Sequence, residues 1–178
     1  MIGLRRARVG DVDWLVALYS GDDVDPFLGP RPRDAEAIRA DVERSEREPR
    51  AFGRMIVEVD GERAGALGWH EVNERNRIAG LEALAVHPDF RGRRVADEAA
   101  RLAQRHLILE LDYHRLELAC YGFNERAIAH AERSGFVREG VKRKAYLRRG
   151  EWQDAVLFSL LREDLEGERP STEPEPEA

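Results

Sequence analysis

The chain has 178 residues, 42% hydrophobic and 36% charged, a length and balance suited to one globular domain with a heavily charged surface. Its formal net charge of −6 belongs to the end of the chain: residues 163–178 carry seven acidic groups and one arginine, leaving 28 acidic and 28 basic groups in residues 1–162. A neutral body gives no electrostatic reason to expect nucleic acid or an anionic membrane as a partner. No apolar run approaches the length of a bilayer span, and the N-terminal MIGLRRARVGDVDW has no apolar signal core. The single cysteine, Cys120, excludes an internal disulfide and a multi-cysteine metal site, and the five histidines show no metal spacing. A cytoplasmic protein is expected.

Residues Ile2–Arg8 read as a short strand, followed by a helix capped at Asp11 with Trp14, Leu15 and Leu18 on its apolar stripe. Gly21–Pro32 is rich in Asp, Gly and Pro and reads as a loop, and its Arg- and Asp-rich part Asp22–Arg33 is a candidate lid. A polar helix is expected from Asp34 to Glu48, stopped by Pro49. Phe52–Val59 and Ala64–Val72 flank Asp60-Gly61, a hairpin signal. Ile78–Val86 is the most apolar strand and ends before Pro88. Residues 92–111 read as a helix with Val95, Ala99, Leu102, Ala103, Leu107 and Leu111 on one face. Leu116–Tyr121 reads as a strand, Asn124–Ser134 as a helix closed by Gly135, and Phe136–Leu147 with Trp152–Leu161 as a last hairpin. From Glu166 onward the chain is rich in Pro and Glu and poor in apolar side chains, so we expect a disordered acidic tail over 166–178 after a single domain at 1–165.

This order predicts an α/β (α+β) fold, a mixed and mostly antiparallel sheet with helices on its faces. Its parallel part should lie between Ile78 and Tyr121, where strand, helix and strand follow one another.

The most informative stretch is Leu84-Ala85-Val86-His87-Pro88-Asp89-Phe90-Arg91-Gly92-Arg93-Arg94-Val95-Ala96. A strand runs into a short basic loop that opens directly into a helix N-terminus, where unpaired N–H groups and the helix dipole favour an anion. A pyrophosphate suits the place, and the small Gly92 and Ala96 would let it approach the backbone. A solvated cap is the bland alternative for such a loop.

With its surroundings, the stretch resembles motif A of the GNAT acetyltransferases, whose loop reads Arg or Gln, two residues, Gly, one residue, then Gly or Ala. Arg91 and Ala96 match the ends, and Arg94 stands where the central glycine is usual. Downstream, Asn124-Glu125-Arg126-Ala127 and Glu132-Arg133-Ser134-Gly135-Phe136 resemble the family's Asn-x-x-Ala helix and its Glu-Lys-x-Gly-Phe ending. The last strands, with Arg143, Tyr146, Gly150, Trp152, Asp154 and Phe158–Glu163, are similar to the ribosomal-protein (RimJ/RimL-type) branch. The resemblance covers roughly residues 2–163. It implies acetyl-CoA as co-substrate and a small-molecule or peptide primary amine as acceptor. The implied cofactor contacts are Leu84, Ala85, Val86, Arg91, Gly92, Arg93, Arg94, Val95, Ala96, Asn124, Ala127 and Arg133, with Asn124 on the pantetheine arm. It implies two parallel strands that splay at the cofactor and allows a homodimer paired through the C-terminal strands.

The reaction needs a route to deprotonate an ammonium, a donor for a developing oxyanion and an acid for the thiolate. Glu82 is the one carboxylate inside an apolar strand and is the candidate base; an Arg-paired structural role is the alternative. The resemblance places a thiolate acid at 131, where this chain has alanine, and Tyr121 is a nearby substitute. His130 is expected on the surface, Cys120 as a small core residue, and the basic run from Arg138 to Arg149 as a solvated hairpin. The tryptophans read as core or rim packing, and Trp69 with Glu71 could line the acceptor pocket. Arg94 and Ala131 keep a second reading open, an acetyl-CoA-binding sensor or interaction module.

Overall fold

The computed structural model describes residues 1–29 and 32–167. A seven-stranded sheet is built from β1 (Ile2–Arg6), β2 (Phe52–Val59), β3 (Glu62–Asn73), β4 (Ile78–Val86), β5 (Arg115–Tyr121), β6 (Val137–Arg148) and β7 (Glu151–Leu161). The helices are α1 (Val12–Tyr19), α2 (Ala35–Arg47), α3 (Val95–Arg105), α4 (Glu125–Arg133) and the short α5 (Arg162–Gly167). The strand order is β1-β2-β3-β4-β5-β7-β6, and every pairing is antiparallel except β4 with β5. The mixed, mostly antiparallel sheet with a parallel pair is the expected one.

Local chemistry accounts for much of this. Asp60 and Gly61 both take positive φ (51° and 86°), the backbone a tight two-residue hairpin requires, and β2 pairs with β3 around them. The Asp34 carboxylate accepts from the Ala37 N–H at 2.9 Å and starts α2. One apolar core lies on the α3 side of the sheet, where Val95, Ala99, Ala103 and Leu107 meet Leu116, Phe136, Phe158 and Leu160. A second lies under α1 and α2, where Leu15, Leu18, Ile38 and Val42 meet Ile56, Ala66 and Ala85.

Several expectations are corrected. The first strand ends at Arg6, and Asp11 does not cap α1 with its side chain. Its carboxylate instead binds Arg5 (2.7 and 3.0 Å) and accepts from the Arg8 N–H (2.9 Å). The helix expected at 92–111 begins only at Val95, because Gly92 and Arg94 have positive φ, and gives way to a π-helical turn over His106–Glu110. Trp69 is 1% exposed and packs edge-on against Tyr113, so it is core and not pocket lining. Trp152, by contrast, is exposed. The helix Arg162–Gly167 includes the first two residues of the expected tail; residues 168–178 lie outside the described residues. Among the described residues no helix is long and apolar enough to cross a membrane, and no cluster of three or more side chains could hold a metal.

Candidate active site

The centre of the sheet is open. β4 and β5 pair over only three positions, Ile78 with Arg115, Ala79 with Leu116 and Gly80 with Glu117. Beyond Gly80 a bulge interrupts β4. Against β3, Ala66 opposes Ala85 and Gly68 opposes Glu82, so Ala83 and Leu84 together face Leu67. Ala83 has a φ of 54°, a left-handed conformation that costs an ordinary residue about 1–2 kcal/mol. Leu84, Ala85 and Val86 follow this kink and lead from the opening to the basic loop.

In that loop Arg91 donates from Nε to the Val86 carbonyl (3.0 Å) and forms an ion pair with Asp23 of the α1–α2 connection. Gly92 (φ 74°) has nothing within 4 Å of where a Cβ would stand, so its surface is open to a ligand. The Arg93 guanidinium lies 5.8 Å from the Phe90 ring centre. Arg94 precedes α3 with φ 58° and ψ 21°, a left-handed residue where the motif usually has glycine. Glu98 is the first to bond back, to the Arg94 carbonyl at 3.1 Å. The N–H groups of Val95, Ala96 and Asp97 therefore have no acceptor within the helix. Loop and helix end together fit an anionic diphosphate.

Asp97 gathers three cationic or potentially cationic side chains: His130 at 3.3 Å, and Arg94 and Arg133 at 3.5 Å each. His130 is thus not a surface residue; it is half-buried between α4 and the first turn of α3, and burial lowers its pKa. Asn124 is buried at the start of α4, where its Oδ1 accepts from the Ala127 N–H (3.1 Å). That cap is worth about 1 kcal/mol. Ala127 stands half-buried beside it. Arg133 lies nine residues after Asn124, about 13 Å away at the helical rise, so these two motif residues mark opposite ends of α4. Ala131 between them is packed in the core. The Tyr121 hydroxyl donates to the Leu28 carbonyl at 3.4 Å.

Glu82 belongs to a chain of charges on the α1–α2 side of the sheet. Its Oε1 lies 2.7 Å from Arg54 Nη1, its Oε2 lies 3.7 Å from His70 Nδ1, and Arg54 also binds Asp41 at 2.6 Å. Gly68 makes this possible: a Cβ there would sit 1.7 Å from Arg54 Nη1. Burial opposes the charge on Arg54, but Glu82 and Asp41 outweigh it and raise its pKa. Nearby, Tyr121 stacks on Phe123 and meets Tyr146 edge-on, and Phe27 lies against Phe123. Arg148 donates to the Pro26 and Asp25 carbonyls (2.9 and 2.6 Å), so it is not a merely solvated member of the last hairpin. Sequence reasoning did not single out Arg54, Asp41, Tyr19 or Asp23. Only Arg54, a charge inside the apolar run Phe52–Val59, carried a readable signal.

The bulged, splayed strand pair and the loop opening into a helix define a recognisable class. The sequence profile of the acetyltransferase (GNAT) domain matches residues 2–137, and the chain belongs to that family. It is 32% identical over 135 residues to the SPbeta prophage-derived uncharacterized N-acetyltransferase YokL of Bacillus subtilis, covering 76% of this chain and 75% of that one. It is 25% identical over 160 residues to the spermidine N(1)-acetyltransferase of Escherichia coli, covering 90% and 86%. Among solved structures, a single-site mutant of the spermidine N-acetyltransferase SpeG of Vibrio cholerae superposes with a TM-score of 0.79 at 20% identity, covering 92% and 95%, a likeness of fold.

Proposed function

We propose that this chain is an acetyl-CoA-dependent N-acetyltransferase acting on a primary amine, either a small-molecule amine or a protein N-terminal amine. The observation that carries this reading is the opening between β4 and β5, which leads through the bulge to the N–H groups at the start of α3 that have no acceptor within the helix. Acetyl-CoA would supply a thioester-activated acetyl group. The backbone at Gly92–Ala96 would hold the diphosphate, with Arg93 and Arg94 adding charge and Arg91 bracing the loop from Val86. Asn124 would reach the pantetheine arm with the amide nitrogen its capping bond leaves over, Ala127 would leave room beside it, and Arg133 would serve the nucleotide end.

The Leu84–Val86 backbone would present N–H groups to the acetyl carbonyl. Glu82, held by Arg54, would orient the acceptor ammonium and take its proton directly or through water before the amine attacks the thioester, and CoA would leave as a thiolate that takes a proton from solvent. Likeness to the Escherichia coli spermidine enzyme favours a small polyamine, and the last two strands favour the ribosomal-protein branch. A cofactor-binding module without turnover is favoured by one observation, the core position of Ala131 where the resemblance calls for an acid.

The test is calorimetric titration of acetyl-CoA into the wild type and Arg94→Glu, followed by free-thiol release with spermidine and N-terminal peptides. Binding that weakens at least tenfold in Arg94→Glu, with thiol release by the wild type, supports the enzyme reading. Binding without release across the panel supports the module. Absence of binding sinks both.

A further inference from the structure

The acetyl-transfer reading needs a backbone donor aimed at the acetyl carbonyl, and a feature of α1 bears on how that donor is held. The carbonyl of Ala83 and the N–H of Leu84 belong to one planar trans peptide group, so they point in opposite directions. The carbonyl accepts a hydrogen bond from the Tyr19 hydroxyl at 3.3 Å. Tyr19 is the last residue of α1, is 3% exposed, and has the Arg33 guanidinium over its ring at 5.1 Å. One ring face and the hydroxyl are therefore both engaged. Burial raises the pKa of the hydroxyl, so it stays a proton donor across the neutral and mildly alkaline range.

Ala83 carries the left-handed φ of the bulge, a conformation that persists only where its surroundings over-determine it. The geometry points to Tyr19 as a positioning residue for acetyl transfer: its hydroxyl anchors the Ala83 carbonyl on the α1 side and turns the Leu84 N–H away from α1, toward the acetyl carbonyl. The same bond polarises the peptide, which strengthens the N–H as a donor on its far side. This inference rests on the acetyl-transfer reading. It adds a side chain to an oxyanion site otherwise built of backbone N–H groups.

Tyr19→Phe removes one oxygen and keeps the buried ring. We expect kcat to fall roughly tenfold, less than the full loss of an oxyanion donor, with the KM for acetyl-CoA unchanged. In the resting protein the Leu84 amide resonance in a proton–nitrogen correlation spectrum should shift, while amides elsewhere in α1 stay in place. A kcat within twofold of wild type overturns the inference. So does an unmoved Leu84 amide, or a kcat loss accompanied by shifts throughout α1. A wild type without turnover would instead fail the acetyltransferase reading; the Leu84 amide then still decides whether Tyr19 holds the peptide.

Discussion

Replacing Arg54 with methionine tests the charge chain that supports Glu82. The Arg54 side chain is only 5% exposed, while its partners Asp41 and Glu82 are 28% and 22% exposed. Removing one member of a buried ion pair costs about 3–5 kcal/mol, chiefly because the abandoned charge stays behind. Water reaches both carboxylates in part, so the lower end applies, ~3 kcal/mol at neutral pH. For a chain of this size each kcal/mol moves the melting midpoint by about 2–4 °C, which gives a drop of about 6–12 °C. Tryptophan fluorescence at pH 7 measures the free-energy loss in a urea series and the midpoint in a thermal melt. A loss below ~1 kcal/mol would refute the reasoning.

Two further outcomes follow from single residues. Arg94→Gly relieves a left-handed backbone whose exposed side chain holds only a 3.5 Å contact to Asp97; after the extra entropy glycine loses on folding, a gain of about 0.5–1 kcal/mol is expected in the same urea assay. A destabilised variant would count against it. The Asp11 carboxyl is pushed down to about 2 by hydrogen bonds from Arg5, which outweigh the opposing effect of burial, and by the Arg8 N–H. A free aspartate titrates near ~4, so this stabilisation is complete above ~4 and is lost as pH falls from there through ~2. Asp11→Asn should flatten that part of the acid-unfolding curve, and a curve parallel to wild type between those values would contradict the assignment.

Where a residue's chemistry acts over one or two neighbours, the sequence was readable. Asp60-Gly61 could hardly serve anything but a tight turn, and the bounds of β2 and β4 fall where the apolar runs begin and end. Asn124 caps α4, one of the two roles its position offered. What stayed hidden depends on tertiary placement. Alternation along β3 separates two faces but does not say which one a helix will cover, so Trp69 was open to a pocket reading although it lies under α3. The bulge at Ala83 has no glycine to announce it. The partner of Glu82 is 28 residues away, on a strand that is not a neighbour of β4, and reaches it only across the gap left by Gly68. His130 meets Asp97, 33 residues upstream, across the gap between α4 and α3.

The short ladder between β4 and β5 has a mechanical side. Four strands stand on one side of it and three on the other, and among the described residues the backbone rivets between β4 and β5 lie at one end, over Arg77–Gly80 and His114–Glu117. At the far end of the seam the plates are clasped by side chains, Tyr121 and Arg148 gripping the carbonyls of Leu28, Pro26 and Asp25. A molecule wedged along the seam between these two fastenings would act as a keel. It would stiffen the whole sheet across its weakest line.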